Sequence, residues 1–294
     1  SHRGRLPPRL QPMTSLNPLA RLVTPDGKTG PDAISRTTHL GIGAHQDDLE
    51  FMAFHGILAC YDCADRWFGG VTITDGRGSS RAGQFKDWTD DQIAAERIRE
   101  QEAAAVIGQY SFIAQLGFGS ATVRDAQQSA VRDDLRRILE ASRPEVVYLH
   151  NLADKHDTHV GCTLRCIEAI RQMPKADRPK MVYGCEVWRD LDWLVDSEKI
   201  AMPISARPEL AQALNEVFAT QIAGGKRYDL AVLGRRTANA TFSNAHSTDQ
   251  ESAMQWAMDL TPLIQDDSLD PVAYTVGFID RLKADVTARI RQSL

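Results

Sequence analysis

No apolar run in this sequence approaches the ~18–20 residues that a transmembrane helix needs. Basic charge is also scarce: 34 Lys and Arg stand against 39 Asp and Glu, a net charge of −5. That leaves no field for nucleic acid and no polybasic membrane patch, so neither partner is expected. The basic opening SHRGRLPPRLQP lacks the apolar stretch of a secretory signal. Ser1 is an unusual first residue, so Met13 reads as the natural start and residues 1–12 as remnant sequence outside the fold. Five cysteines is an odd count, which excludes full internal pairing. Cys60 and Cys63 form a lone C-x-x-C, with Cys60 on an apolar stripe, and Cys162 and Cys166 stand one helical turn apart. All read as small core thiols of a reducing compartment, the cytoplasm. There is no internal repeat, no low-complexity linker and no G-x-G-x-x-G after the first strong strand.

What is present is ordinary in bulk and unusual in two places. Charged residues at 25% and hydrophobic ones at 43% fit a globular protein, and 294 residues allow one large α/β domain or two smaller ones. Residues 1–37 read as an N-terminal extension with no clear period, and 38–294 as a single domain. From His39 the pattern alternates strand and helix. Strands are expected to end at Ala44 and to span 67–74, 112–116, 145–150 and 181–188. Helices are expected from near Asp48 to 65, then over 90–108, 125–142, 161–172, 209–222 and 226–236. This is the pattern of a parallel sheet wound by helices. From Ala238 the chain reads as irregular until a helical close over 271–293.

The first unusual place is His39–Glu50, HLGIGAHQDDLE. A short apolar strand runs into His45, Asp47, Asp48 and Glu50, which puts polar side chains at the carboxyl edge of the sheet, where open α/β sheets bind ligands. His45 and Asp48 are normal zinc ligands at a spacing that a tight turn can aim at one point. Asp47 is then free to take a proton from the attacking water, and Glu50 to support the ligands from behind. The competing structural reading makes Asp47 and Asp48 simple helix caps. The second place is His150–His159, with three His and two Asp in ten residues beyond the fourth strand. Between them, Asp75–Gln84 (DGRGSSRAGQ) is a Gly-rich rim loop, in which Arg77 or Arg81 is expected to contact substrate.

Together these clusters resemble the PIG-L/LmbE family of zinc-dependent N-deacetylases. The resemblance rests on Ala44-His45-Gln46-Asp47-Asp48-Leu49-Glu50 and His156-Asp157-Thr158-His159, and more loosely on Arg97, Glu100 and Gly108 and on Phe218–Gln221, over roughly residues 38–235. It implies a Rossmann-like α/β fold, mostly parallel and flanked by helices, with an irregular and helical C-terminal part. It further implies Zn²⁺ held by His45, Asp48 and His159, Asp47 as general base and then acid, and His156 as oxyanion donor. The activity it implies is hydrolysis of an acetyl group from a small N-acetylated molecule, with N-acetyl amino sugars as the family's usual substrates. Gln46 replaces the commoner Pro, and Thr158 stands where Asp often does, which displaces Asp157 by one. Two readings from other classes compete: a nucleotide- or cofactor-binding α/β protein, and a metal-binding protein without catalysis. Self-association is left open.

Overall fold

The computed structural model describes residues 16–294; the remnant expected over 1–12 and the start at Met13 lie outside the described residues. In chain order the elements are β1 (Arg21–Val23), α1 (Gly30–Ser35), β2 (His39–Gly43), α2 (Asp48–Met52), α3 (Phe54–Cys60) and β3 (Phe68–Thr74). There follow α4 (Asp90–Ile107), β4 (Ile113–Phe118), α5 (Ser120–Arg124), α6 (Ala130–Ser142), β5 (Val146–His150), α7 (Asp157–Arg171) and β6 (Met181–Cys185). The chain closes with β7 (Ile200–Pro203), α8 (Pro208–Glu216), α9 (Ala219–Ala223), α10 (Tyr228–Thr241), β8 (Met254–Asp259), α11 (Thr261–Gln265) and α12 (Pro271–Gln292).

The eight strands among the described residues form one sheet in the order β1-β4-β3-β2-β5-β6-β8-β7. The five central strands are parallel, as expected of strands joined through helices. From β2 the chain winds outward through β3 to β4, then returns to β5 on the other side of β2. The reversal opens a crevice between the carboxyl ends of β2 and β5, the position where such sheets bind ligands. Both polar clusters follow those two strands.

The sheet is buried on both faces. One face packs Ile42, Leu135, Ile138, Cys162 and Cys166 under α6 and α7; the other packs Leu49, Met52, Phe54, Ile57 and Tyr148 under α2, α3 and α8. This burial explains why β2 and β3 read as near-continuous apolar runs. All five cysteines are free thiols, four of them buried. No described helix is long and apolar enough to cross a membrane.

The expected strands and the long capped helix α4 are present, α4 opening on a Thr89–Gln92 capping box. Four expectations need correction. Residues 21–23 and 30–35, read as having no clear period, supply β1 and α1, and β1 pairs antiparallel with β4. The stretch after Ala238, read as irregular, contains β8, which pairs antiparallel with β6 and β7. Three- to six-residue strands of mixed polarity carry too little period to stand out, and only pairing reveals them. The first helix breaks at Ala53, and the one expected over 209–222 breaks at Phe218, where backbone angles leave the helical range.

Candidate metal centre

The turn from β2 into α2 is built on close approach. A Cβ at Gly43 would lie 2.8 Å from the Cβ of Asp48, so only glycine lets the strand end press against the helix start. Asp47 occupies the left-handed region at φ 95°, an uncommon conformation for a residue other than glycine. It stands at the N-cap position of α2, yet its side chain makes no capping hydrogen bond. The turn is held by other groups. Gln101 Oε1 accepts the Asp47 amide hydrogen at 3.1 Å, and Arg97 Nη2 donates to Gln46 O at 2.6 Å. Asp47 lines the cleft, its Oδ2 3.7 Å from Arg97 Nη2. Burial pushes the Asp47 carboxyl well above the usual range, with Asp48 and Glu50 adding to the shift and Arg97 opposing it.

Three donor atoms converge beside it. His45 Nδ1 and His159 Nε2 each lie 3.3 Å from Asp48 Oδ2, and 3.2 Å from one another. Tetrahedral zinc with bonds of ~2.0–2.2 Å sets its donors roughly 3.3–3.6 Å apart, so the triangle fits such an ion. The protonation states fit too. Burial lowers His159 to about 4, which leaves its imidazole neutral at neutral pH. Burial would raise Asp48, but His159 and His150 more than reverse it and keep the carboxylate ionised. Asp154 Oδ1 lies 3.4 Å from His159 Nδ1 on the far side of the ring, the arrangement that orients a metal-binding imidazole.

Two other histidines complete overlapping donor sets, His45/His156/His159 and Asp48/His150/His159, each within 4.8 Å. Their lone pairs are engaged. His150 Nε2 accepts the Ala44 amide hydrogen at 3.0 Å, and its ring stacks on His159 at 3.8 Å. His156 Nδ1 accepts the Thr158 amide hydrogen at 3.3 Å as the N-cap of α7, which leaves Nε2 to carry the proton in the neutral ring. Burial lowers the pKa of His156, which favours that neutral form.

The other residues singled out from sequence fall in different places. Glu50 does not touch the donor atoms. It accepts from Tyr110 Oη at 2.5 Å and from Gln101 Nε2 at 2.8 Å, and so supports the site through Gln101 and the Asp47 amide. Burial raises it to about 7. Arg77 and Arg81 do not line the cleft; Arg77 pairs with Asp75 at 2.6 Å and Asp91 at 2.9 Å, and Arg81 pairs with Asp90. The acidic start of α4, read only as a helix signal, captures both guanidinium groups. Their loop instead offers Gly76, Gly78, Ser79 and Ser80 to the cleft. Gly76 has φ 70°, and its carbonyl accepts from Arg97 Nη1 at 3.2 Å. Asp157 is exposed, and Asp154 takes the place behind His159.

The cleft encloses about 400 Å³ and is also lined by Arg124, Gln221, Lys226, Trp188 and Tyr228. Gln221 arrives there because Glu100 grips its neighbour, accepting from Thr220 N at 2.7 Å and from Thr220 Oγ1 at 2.5 Å. Sequence reasoning noted Arg97, Glu100 and Gln221 only as loose likenesses, and missed Asp154, Trp188 and Tyr228. Asp154 alone left a signal, as an acid inside a histidine-rich run.

Strand order, switch point and donor triangle define a doubly wound α/β protein with a crevice suited to a metal ion. Residues 40–170, from β2 into α7, match the model of the PIG-L family, which is described as GlcNAc-PI de-N-acetylase. No curated protein matches the chain. Among solved structures, a conserved protein of Thermus thermophilus is similar at TM-score 0.59 and 19% identity, covering 80% of this chain and 99% of that one. N,N'-diacetylchitobiose deacetylase from Pyrococcus horikoshii is similar at TM-score 0.55 and 17% identity, with 81% and 85% covered. GalB, a 4-carboxy-2-hydroxymuconate hydratase from Pseudomonas putida, reaches 0.54 and 18%, with 76% and 96% covered. At these identities the likeness is one of fold, and the fold serves both a deacetylase and a hydratase.

Proposed function

We propose that the protein is a zinc-dependent amide hydrolase that removes an acetyl group from a small N-acetylated substrate, an N-acetyl amino sugar derivative. The observation that carries this reading is the donor triangle of His45, Asp48 and His159 with a second carboxylate, Asp47, beside it that neither joins the triangle nor caps a helix. A pure storage site has no use for that extra acid. The family match over residues 40–170 favours deacetylation over hydration.

His45, Asp48 and His159 would hold the ion, because the lone pairs of His150 and His156 are spent on backbone amides. Zinc bound there supplies a Lewis acid that lowers the pKa of water towards ~7 and polarises the amide carbonyl. Asp47 takes the proton of the attacking water and returns it to the nitrogen as the C–N bond breaks, which releases acetate and a free amine. His156 donates its Nε2 hydrogen to the carbonyl oxygen as negative charge develops there, a contribution worth ~10²–10³ in turnover for a donor of this kind. Gln221, Ser79 and Arg124 line the cleft, whereas Arg77 and Arg81 do not, and they would contact the sugar.

The test is a panel of N-acetyl amino sugars and simple N-acyl amines, assayed by amine release with the protein zinc-loaded and metal-stripped. The expected result is about one zinc per chain and amine release that depends on it. A zinc-loaded protein that releases no amine from any member would overturn the proposal.

A further inference from the structure

A second cavity, of about 240 Å³, adjoins the metal cleft and shares four wall residues with it: Phe51, Val187, Trp188 and Tyr228. The remaining wall includes Ala231 and Val232 of α10. Three of the four polar residues at its edge are turned into the protein. Glu186 accepts from Leu191 N at 3.1 Å, Trp256 N at 3.1 Å and Asn239 Nδ2 at 2.8 Å. Gln255 accepts the His55 amide hydrogen at 3.0 Å and donates to Phe51 O at 2.8 Å, and Arg235 donates to Val187 O. The fourth, Arg236, is only 4% exposed. Its Nη2 donates to Glu50 O at 2.8 Å and its guanidinium lies 4.9 Å from the centre of the Phe54 ring, with Nε and Nη1 unpaired beneath the cavity surface. The chamber therefore presents three aromatic side chains and three aliphatic ones over a buried positive charge. Such walls favour an apolar guest, and an aromatic one above others, since a ring face attracts the cation.

We infer that this chamber holds an apolar, ring-sized group carried on the amine side of the substrate, next to the acetamide. A cavity of ~150 Å³ lined by apolar side chains is already large enough to bind benzene, so 240 Å³ accommodates a phenyl or hexyl group. The assignment to the amine side rests on the deacetylase reading: an acetyl group is two carbons and leaves nothing of its own to fill the chamber. The substrate class is thus an N-acetyl amino sugar, or similar N-acetyl amine, with a hydrophobic substituent rather than a free small sugar.

The test compares methyl, hexyl and phenyl β-glycosides of N-acetylglucosamine with the zinc-loaded protein, in wild type and in Ala231→Phe, a substitution on the exposed side of α10 that fills the chamber. One well-buried methylene is worth a factor of ~10 or more in specificity, so kcat/KM should rise about 10²-fold from methyl to phenyl. In Ala231→Phe that preference should disappear, and Val232→Phe is the substitute if Ala231→Phe does not fold. A flat glycoside series overturns the inference. So does a flat series combined with faster release of longer N-acyl groups, because the chamber then takes the acyl arm. Calorimetry with phenyl and methyl β-glucoside, which contain no amide, separates this inference from the proposed activity. If no acetamide is cleaved yet phenyl β-glucoside binds at least tenfold tighter than the methyl compound and Ala231→Phe removes the difference, the chamber stands and the deacetylase reading falls. Equal binding of the two glucosides with no cleavage overturns both.

Discussion

Asp47 shows how much one side chain can decide. Its backbone is held at φ 95° by Gln101 and the Arg97–Gln46 clasp, so its carboxylate is free of any capping duty. Asn tolerates the left-handed region better than most residues and is close to Asp in size. Asp47→Asn is therefore expected to fold and to bind zinc normally while losing roughly 10²–10⁴ in turnover, the usual contribution of a general base. Measured zinc content and kcat on the same sample check it; near-normal turnover with full zinc would return Asp47 to a structural role. Asp154 acts one step further out. Besides facing His159 Nδ1, its carboxylate accepts the amide hydrogens of His156 at 2.9 Å and Trp188 at 3.1 Å. Asp154→Asn should weaken zinc binding by ~10–100-fold, read by competition with a chelating dye. Unchanged affinity would confine Asp154 to bracing those two backbones.

At the scale of elements, the site depends on how closely β2 meets α2 and on what α4 reaches. Gly43 is the point of closest approach, and a methyl group there meets Asp48 Cβ at 2.8 Å. Relief requires moving either the strand end or the helix that carries Asp48. Gly43→Ala should cost about 1–3 kcal/mol, as overpacking does, and should lower zinc affinity in the same protein. Denaturant melts with and without zinc measure both; loss of stability with unaltered zinc affinity would mean that the strain is absorbed elsewhere. Helix α4 spreads its effect through three side chains. Arg97 reaches Gln46 and Gly76, Gln101 reaches Asp47 and Glu50, and Glu100 reaches Thr220. It thus fixes the motif turn, the rim loop and α9 together, though it supplies no metal donor.

For the molecule as a whole, a half-buried neutral histidine ties stability to pH. His39, at the start of β2, is lowered to about 4, chiefly by burial, with His55 and Arg66 adding to the shift and Glu145 opposing it. The unfolded chain binds that proton near the ordinary histidine value of ~6.5, so it holds more protons than the native state between those limits. The stability associated with neutral His39 is present above ~6.5 and is lost as pH falls towards 4. His39→Asn should flatten this part of the pH dependence, followed by the urea midpoint from about pH 7 to 4. An identical slope in the variant would assign the acid sensitivity to other groups. His39 lies at the far end of β2 from His45 and Asp48, so this experiment reads the fold apart from the candidate site.

The local grammar of the chain, short apolar strands alternating with amphipathic helices, determined the parallel core and placed both histidine and aspartate clusters beyond strand ends. It also carried the family motif, because His45, Asp47, Asp48 and the His156–His159 pair are each set by a single turn. Longer-range matters were decided only in three dimensions. β1 and β8 are strands because a sheet edge and β6 supply their hydrogen bonds, and nothing in their own residues announces it. Arg77 and Arg81 left the site because Asp90 and Asp91 lie within reach of them once α4 packs. Whether the His150 lone pair remains open, what stands behind His159 and whether an apolar chamber adjoins the cleft all depend on groups more than a turn apart in sequence. A pattern of residues records which chemistry is available, whereas the pairing of each donor and charge is settled by neighbours that only folding brings together.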